Sequence, residues 1–333
     1  MAEHTVYDVA RKAGVSIATV SRVLNNPDKV SPGTRERILK AVDELGFVPK
    51  AEAAARARRA SRRIGVLAPF FTYPSFVQRL RGVATALAGR NYELVIYNVD
   101  TSARRDAYLT SLAVTRRLDG LIIMALPFDA PVARRLSGHA MESVLIEFSH
   151  PHFSSIEIDN HQGGRLAAEY LLSRGHRRCG FVGDTDLPTY AIHTSDWRLA
   201  GYREALAQAS VNLPDSFISL APAPHGIDMA HDAALRLLNL DERPTAIFAA
   251  SDTQALGVLK AARERGVRVP EDLAVLGFDD IDISDYIGLT TIRQQLEESG
   301  RVAVELLLAR LADDSRSVQH IRLPLELIQR QTA

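Results

Sequence analysis

The sequence predicts an α/β chain: an N-terminal three-helix helix-turn-helix head plus hinge, then two lobes of doubly wound parallel sheet. Three observations carry that prediction. A helical pattern broken by a tight turn fills residues 5–26, a basic alanine-rich segment occupies 50–63, and from Ile64 apolar runs alternate with amphipathic stretches. Strand–helix alternation of this kind implies parallel sheets joined by right-handed crossovers. At 333 residues the chain is longer than one typical domain and long enough to bury a substantial core.

In the head, Val6, Val9, Ala10 and Ala13 recur at helical spacing and stop at Gly14, which supplies the positive φ of a tight turn. Ser16 then caps a second helix whose inner face is Val20, Val23 and Leu24. Its other face gathers Ile17, Ala18, Ser21, Arg22 and Asn25. A helix with small packing residues on one side and short polar groups plus one arginine on the other suits a DNA major groove. Asn25-Asn26-Pro27-Asp28 reads as a turn, and Ser31-Pro32 as an N-cap with proline in the first helical position. A third helix follows, with Ile38, Leu39, Val42 and Leu45 as its apolar side and Gly46 as its stop. Three short helices make a small core, which is tolerable in a module tethered to a larger body.

The net charge of zero conceals an asymmetry. Residues 1–63 hold 13 Lys/Arg against 7 Asp/Glu, and the remainder holds 27 against 33. A basic head on an acidic body fits phosphate binding at one end, where each neutralised phosphate releases counterions. Within 50–63, six basic groups accompany one acid, and nothing large and apolar gives a helix a face to bury. Such a segment is expected to order against a partner, and phosphate backbone is the obvious one.

Candidate strands in the body are 64–69, 92–99, 118–126, 143–148, 155–159, 178–184, 246–251 and 273–280, with helical patterns at 74–87, 163–175 and 252–266 between them. Two groups of five or six strands imply two lobes. Ligands in such folds bind outside the carboxyl ends of the strands. That rule selects Phe70 to Phe76, Glu147, Asp159, Asp184 to Arg198, Ser251-Asp252 and Asp279-Asp280. No GxxxxGK loop or GxSxG elbow is present, and the histidines at 150, 152, 161, 176 and 193 lack the HExxH pairing. No catalytic residue, metal or cofactor is therefore expected. The single cysteine, Cys179, lies in an apolar run and reads as a core residue. The start MAEHTVYD has no apolar signal core and no stretch reaches the length of a membrane span. A cytoplasmic chain with no membrane partner is expected.

With these residues in view, the chain resembles the LacI/GalR family of transcriptional regulators over essentially its full length. TVYDVARKAGVSIATVSRVLNN carries the resemblance most specifically. GGRLAAEYLLSRGHRRCGFVG, RLAGYREAL, AIFAASDTQALGVLKAARERGVRVPEDLAVLGFDD and LTTIRQ follow in the family's order. The resemblance implies a homodimer, a periplasmic-binding-protein-like effector domain and a head that binds a palindromic operator in double-stranded DNA. It implies a head over 1–49, a hinge over 50–63, a first lobe of 64–162 with 291–317, and a second lobe of 163–290 with 318–333. No leucine heptad follows the last expected strand (318–327), so a dimer is expected without a tetramerising tail.

Carried over by position, the resemblance assigns base reading to Ile17, Ala18 and Arg22, with Arg22 best suited to a guanine. It assigns backbone contacts to Thr5, Tyr7, Ser16, Thr19, Ser21, Asn25, Ser31 and Thr34. Hinge contacts in the minor groove fall to Ala55, Arg56, Arg58 and Arg59. The small-molecule effector would be met by Ser75, Phe76, Glu147, Trp197, Arg198, His225, Ser251, Phe278 and Asp279, and a sugar or sugar derivative suits those groups. Two other readings share parts of the pattern: a catabolite-control regulator whose co-effector is a phosphorylated carrier protein, and a solute-binding transport component. The basic head weighs against the second.

One position departs from the family. Many members place a leucine in the hinge that wedges into the minor groove, whereas here that position holds Arg56, and no leucine lies between Leu45 and Leu67. An arginine enters a narrow minor groove electrostatically but does not wedge stacked bases apart. Arg56→Leu is therefore expected to increase operator bending in a circular-permutation assay. Equal bend angles for the two proteins would contradict that role.

Overall fold

Apolar periodicity and caps set the head. In the computed structural model, which describes residues 4–25, 30–47, 62–115, 117–186, 188–222 and 226–333, helix α1 spans Val6–Ala13, α2 Ile17–Asn25 and α3 Pro32–Leu45. Thr5 opens α1, its backbone N–H and hydroxyl both donating to Asp8 Oδ2 at 2.8 Å. Gly14 closes it at φ 64°, a conformation that suits glycine. Ser16 Oγ accepts from Thr19 N at 3.2 Å and so caps α2. Val9, Val20, Val23, Ile38 and Val42 form the head core, and Val114 of the body joins them. Borrowing an apolar residue from the body enlarges a core that is small for an independent unit. Asp43 of α3 also accepts from Arg135 (3.1 Å) and faces His139 Nε2 at 3.1 Å, seating the head on the first lobe.

The body consists of two six-stranded sheets with the same winding. Strands β1 (Arg63–Pro69), β2 (Glu93–Val99), β3 (Gly120–Met124), β4 (Glu142–Ile146) and β5 (Ser154–Glu157) belong to the first. Strands β6 (Cys179–Thr185), β7 (Ile218–Pro222), β8 (Ala246–Ala249), β9 (Ala274–Asp279) and β10 (Thr290–Arg293) belong to the second. Two late strands, β11 (His320–Arg322) and β12 (Glu326–Ile328), complete one sheet each. The orders are β11-β5-β4-β3-β1-β2 and β12-β10-β9-β8-β6-β7. All pairings are parallel except β10 with β12. Central strands such as β3, with every residue buried, read as continuous apolar runs because helices cover both sheet faces.

This topology corrects the lobe boundaries expected from sequence. Residues 291–293 lie in β10 and belong to the second sheet, not the first. The chain crosses back only at 294–295, after which the helix Leu296–Ala312 packs on β3, β4 and β5. Residues 318–327 are not one strand. β11 pairs with β5 in the first sheet and β12 with β10 in the second, and between them lies Pro324, which has no N–H to extend a ladder. Strands β7 and β10 lie outside the expected set: β7 alternates buried and exposed residues at a sheet edge, and β10 carries a single large apolar residue, Ile292.

In each sheet the winding reverses beside one strand: β1 lies between β2 and β3, and β6 between β7 and β8. The loops at the carboxyl ends of β1 and β6 are thus the expected places for a ligand.

Candidate functional site

Two surfaces gather the residues singled out from sequence. The first is the outer face of α2. Its inner residues Val20, Val23 and Leu24 are buried, so Ser16, Ile17, Ala18, Ser21 and Arg22 face outward and are exposed. Tyr7 on α1 is exposed as well, while Thr19 and Thr34 are half-buried. Several residues expected at the DNA backbone have a local bond too. Thr5 and Ser16 act as caps, Thr19 Oγ1 lies 2.8 Å from Ser16 Oγ, and Ser31 Oγ donates to Thr34 Oγ1 at 3.0 Å. The side chain of Asn25 is outside what the structure describes, as are Ala55, Arg56, Arg58, Arg59 and His225.

The second surface is a cleft of about 90 Å³ between the lobes, at the carboxyl ends of both sheets. Of the expected effector residues, Ser75, Phe76, Glu147, Arg198, Ser251 and Asp279 line it together. Phe278 lies beneath it, fully buried, with the Arg198 Cζ 3.6 Å from its ring centroid; it supports the arginine by a cation–π contact. Trp197 is a correction: it is 52% exposed and does not line the cleft. One residue is 100° of helix rotation, so Arg198 pointing inward turns its neighbour Trp197 away.

Arg198 is placed by a close helix crossing. A Cβ on Gly164 would come within 1.9 Å of the Arg198 carbonyl oxygen, and one on Gly201 within 1.9 Å of that of His161. Only glycine lets the helices Asn160–Ser173 and Thr194–Gln208 touch backbone to backbone. Arg198 Nε then donates to Asn160 Oδ1 at 2.8 Å and Nη1 to the Ala250 carbonyl at 2.5 Å. Nη1 also stands 3.9 Å from Asp279 Oδ1.

The cleft also holds polar groups outside the assigned set, among them Arg79, Gln294, Asp184 and Tyr73. Arg79 is buried, forms an ion pair with Glu147, and donates to Gln294 Oε1 at 2.9 Å. Gln294 in turn donates to Asp279. A buried polar chain therefore runs from Glu147 and Arg79 in the first lobe, through the crossover residue Gln294, to Asp279 and Arg198 in the second. Asp184, which accepts from Gln254 Nε2 at 2.5 Å, and Tyr73 complete the wall. The strand-end rule already pointed at Tyr73 and Asp184. Arg79 was findable too, one helical turn after Ser75 and Phe76 on the same face. Gln294 gave no such signal, because its role comes from the lobe crossover.

Strand-end acids outside the cleft do other work. Asp159 caps the helix Asn160–Ser173 by accepting from Gln162 N, and Asp280 is bound by Arg293 and Arg330 at 2.7 and 2.8 Å. Backbone strain marks the same region. Phe70, Ala125, Glu147, Asp186, Asp279, Asp280 and Gln295 all have positive φ, with Asp279 at 123°. Non-glycine residues in such conformations cost on the order of 1–3 kcal/mol each and gather where side chains must be aimed at a ligand.

Burial pushes the Asp279 carboxyl up to about 7, with Asp252 adding to the rise against the pull of Arg198, Arg79 and Gln294. Burial also lowers the Arg198 guanidinium, which Asp279 opposes; the group stays protonated.

Matches to known proteins agree with this architecture. The family model described as "Bacterial regulatory proteins, lacI family" matches residues 5–50, and "Periplasmic binding protein-like domain" matches 168–333. The HTH-type transcriptional repressor CytR of Escherichia coli (strain K12) is 35% identical over 322 residues, covering 95% of this chain and 91% of that protein. A transcriptional regulator CelR–cellobiose complex superposes with a TM-score of 0.71 at 30% identity, over 99% of this chain and 100% of the other. The lac repressor dimer bound to operator and the anti-inducer ONPF gives 0.70 at 30% identity, over 99% of each chain.

The raised Asp279 carboxyl has a consequence for stability. The folded chain holds this proton up to about pH 7, whereas an ordinary aspartate releases it near 3.8. The stabilisation is complete below about pH 4 and is lost as the pH rises through 7. The unfolding midpoint of Asp279→Asn relative to wild type should therefore rise between about pH 5 and about pH 8. A difference that does not change with pH would contradict the assignment.

Proposed function

The chain belongs to the LacI family of bacterial regulatory proteins, and we propose that it is a sequence-specific transcriptional repressor. In this reading it binds a palindromic operator as a homodimer and is switched by a small neutral sugar or sugar derivative in the interlobe cleft. The outward face of α2 carries the DNA reading: Ile17, Ala18, Ser21 and Arg22 are exposed while the opposite face is buried. Arg22 is the one guanidinium on that face, suited to bidentate contact with a guanine.

Charge balance supports a neutral effector. Arg79 is matched by Glu147, and Arg198, which faces Asp279 with its proton held up to about pH 7, has the Asp184 carboxyl near it as well. The cleft thus has no surplus positive charge to hold a phosphate ester. Carboxylates that accept and guanidinium groups that donate suit the hydroxyls of a polyol. Phe70, stacked on Tyr73 at 5.2 Å and edge-on to Phe76 at 6.5 Å, offers a wall for the apolar face of a sugar ring.

Exposed apolar side chains support the dimer. Ile96 lies on edge strand β2, with Val77 on the helix Pro74–Leu87; Leu220 lies on the matching edge strand β7. Ile227 and Met229 begin the helix packed on β7, and Tyr286, 86% exposed, follows Ile283. Apolar exposure on the edge strand of each sheet, Ile96 on β2 and Leu220 on β7, fits a two-fold contact between copies. A change in lobe orientation on effector binding would then reach the heads, with a coupling of about 1–3 kcal/mol.

Arg22→Ala should cost about 1–3 kcal/mol on the operator and relax specificity at one base pair, as measured by fluorescence anisotropy on operator variants. Equal losses on operator and random DNA would overturn the base-reading assignment.

A further inference from the structure

Behind the cleft sits a carboxylate that no effector can touch. Asp252 is fully buried at the start of the helix Asp252–Glu264 and, among the described residues, forms no ion pair. It is held instead by three donors: Ile281 N at 2.9 Å and Ser284 Oγ at 2.6 Å on Oδ2, and Thr291 Oγ1 at 2.5 Å on Oδ1. The helix N-terminus favours a negative charge there. Room for it is made in β9, where a Cβ on Gly277 would lie 2.2 Å from Asp252 Oδ1. The three donors follow the segment in which Asp279 (φ 123°) and Asp280 (φ 59°) adopt strained backbone, Ile281 directly.

We propose that Asp252 is the positioning residue of the cleft, tying Ile281, Ser284 and Thr291 together so that the strained turn after β9 presents Asp279 to the effector. The proposal rests on the cleft being the effector site. Strain of this kind persists only where the surroundings over-determine it, and three hydrogen bonds to one fixed carboxylate supply that constraint. The same turn leads into Asp282, which accepts from Gln78 at 2.6 Å and from Arg81 at 2.6 Å across the lobes. Asp252 therefore holds both the cleft acid and an interlobe contact in one register.

Asp252 also acts on Asp279 through its charge. Around Asp279 stand Arg198 from the helix Thr194–Gln208, Arg79 from Pro74–Leu87 by way of Gln294, and Asp252 from its own helix. Glu147 and Asp184 lie near Arg198, and Asp280 is neutralised by Arg293 and Arg330. Burial raises both Asp252 and Asp279. The three donors work against the burial that raises Asp252, and its carboxylate in turn adds to the rise at Asp279.

Two measurements on the full chain without ligand test this. Carboxyl ¹³C shifts of labelled aspartates read the titration of Asp279 directly. In Asp252→Asn, which keeps the shape and removes the charge, its midpoint should fall by about one pH unit. Amide hydrogen exchange reads the clamp. In a Ser284→Ala, Thr291→Val double variant, which keeps the carboxylate, exchange over 280–284 should quicken about tenfold while β8 stays protected. An unmoved midpoint, or faster exchange spread evenly through the second lobe, overturns the proposal. If Asp252→Asn does not fold, the double variant decides alone. Because neither measurement uses an effector, failure here is distinguishable from failure of the effector reading, which shows as a lack of sugar binding by the wild type.

Discussion

The buried contact of Arg79 with Gln294, and of Gln294 with Asp279, is the constraint on which the rest of the body depends. It joins the lobes at a crossover of the chain, beside the cleft and buried from the surface. A buried guanidinium and a buried carboxyl there are each costly alone. Glu147 offsets the first, and a retained proton offsets the second. The residues that carry the strain, from Phe70 to Gln295, sit at strand ends around the same contact. Its polar groups are satisfied by one another in the lobe arrangement described here. In the function proposed above, a ligand that offers its own hydroxyls to Arg198 and Asp279 would compete with that arrangement and so bias the orientation of the lobes.

The head is governed by a different constraint. Its reading face is kept outward by a core so small that Val114 of the body completes it. Head and first lobe are therefore linked by packing and by Asp43, with Arg135 and His139 beside it. Burial raises the Asp43 carboxyl, but the bonds from His139 and Arg135 outweigh it and hold the group below its ordinary range.

Much of this was legible in the sequence. Gly14, Ser16, Ser31-Pro32 and Gly46 punctuate the head with local turn and cap chemistry, which does not depend on tertiary context, and those helices begin and end where these residues place them. The two-sheet body followed from apolar runs long enough to cross a buried sheet. What the sequence hid was non-local. The lobe boundaries depend on which sheet a three- or four-residue strand joins, and β10 and β11 carry too few residues to announce a partner. Gln294 has no period or motif to reveal it, since its position follows from the crossover. Trp197 was misplaced because adjacency in sequence to Arg198 is not adjacency on a helix face. Asp252 looked like a strand-end ligand acid and instead lies one layer behind, where Gly277 leaves space for it.

In the proposed function a charge-balanced cleft selects a neutral polyol, and its occupancy controls the grip on DNA. The most direct measurement is fluorescence anisotropy of an operator selected on the wild-type chain, titrated with neutral sugars and with the phosphate esters of the same sugars. A neutral sugar should shift operator affinity by about 5- to 150-fold while its phosphate ester does not. A shift produced only by phosphate esters would contradict that function.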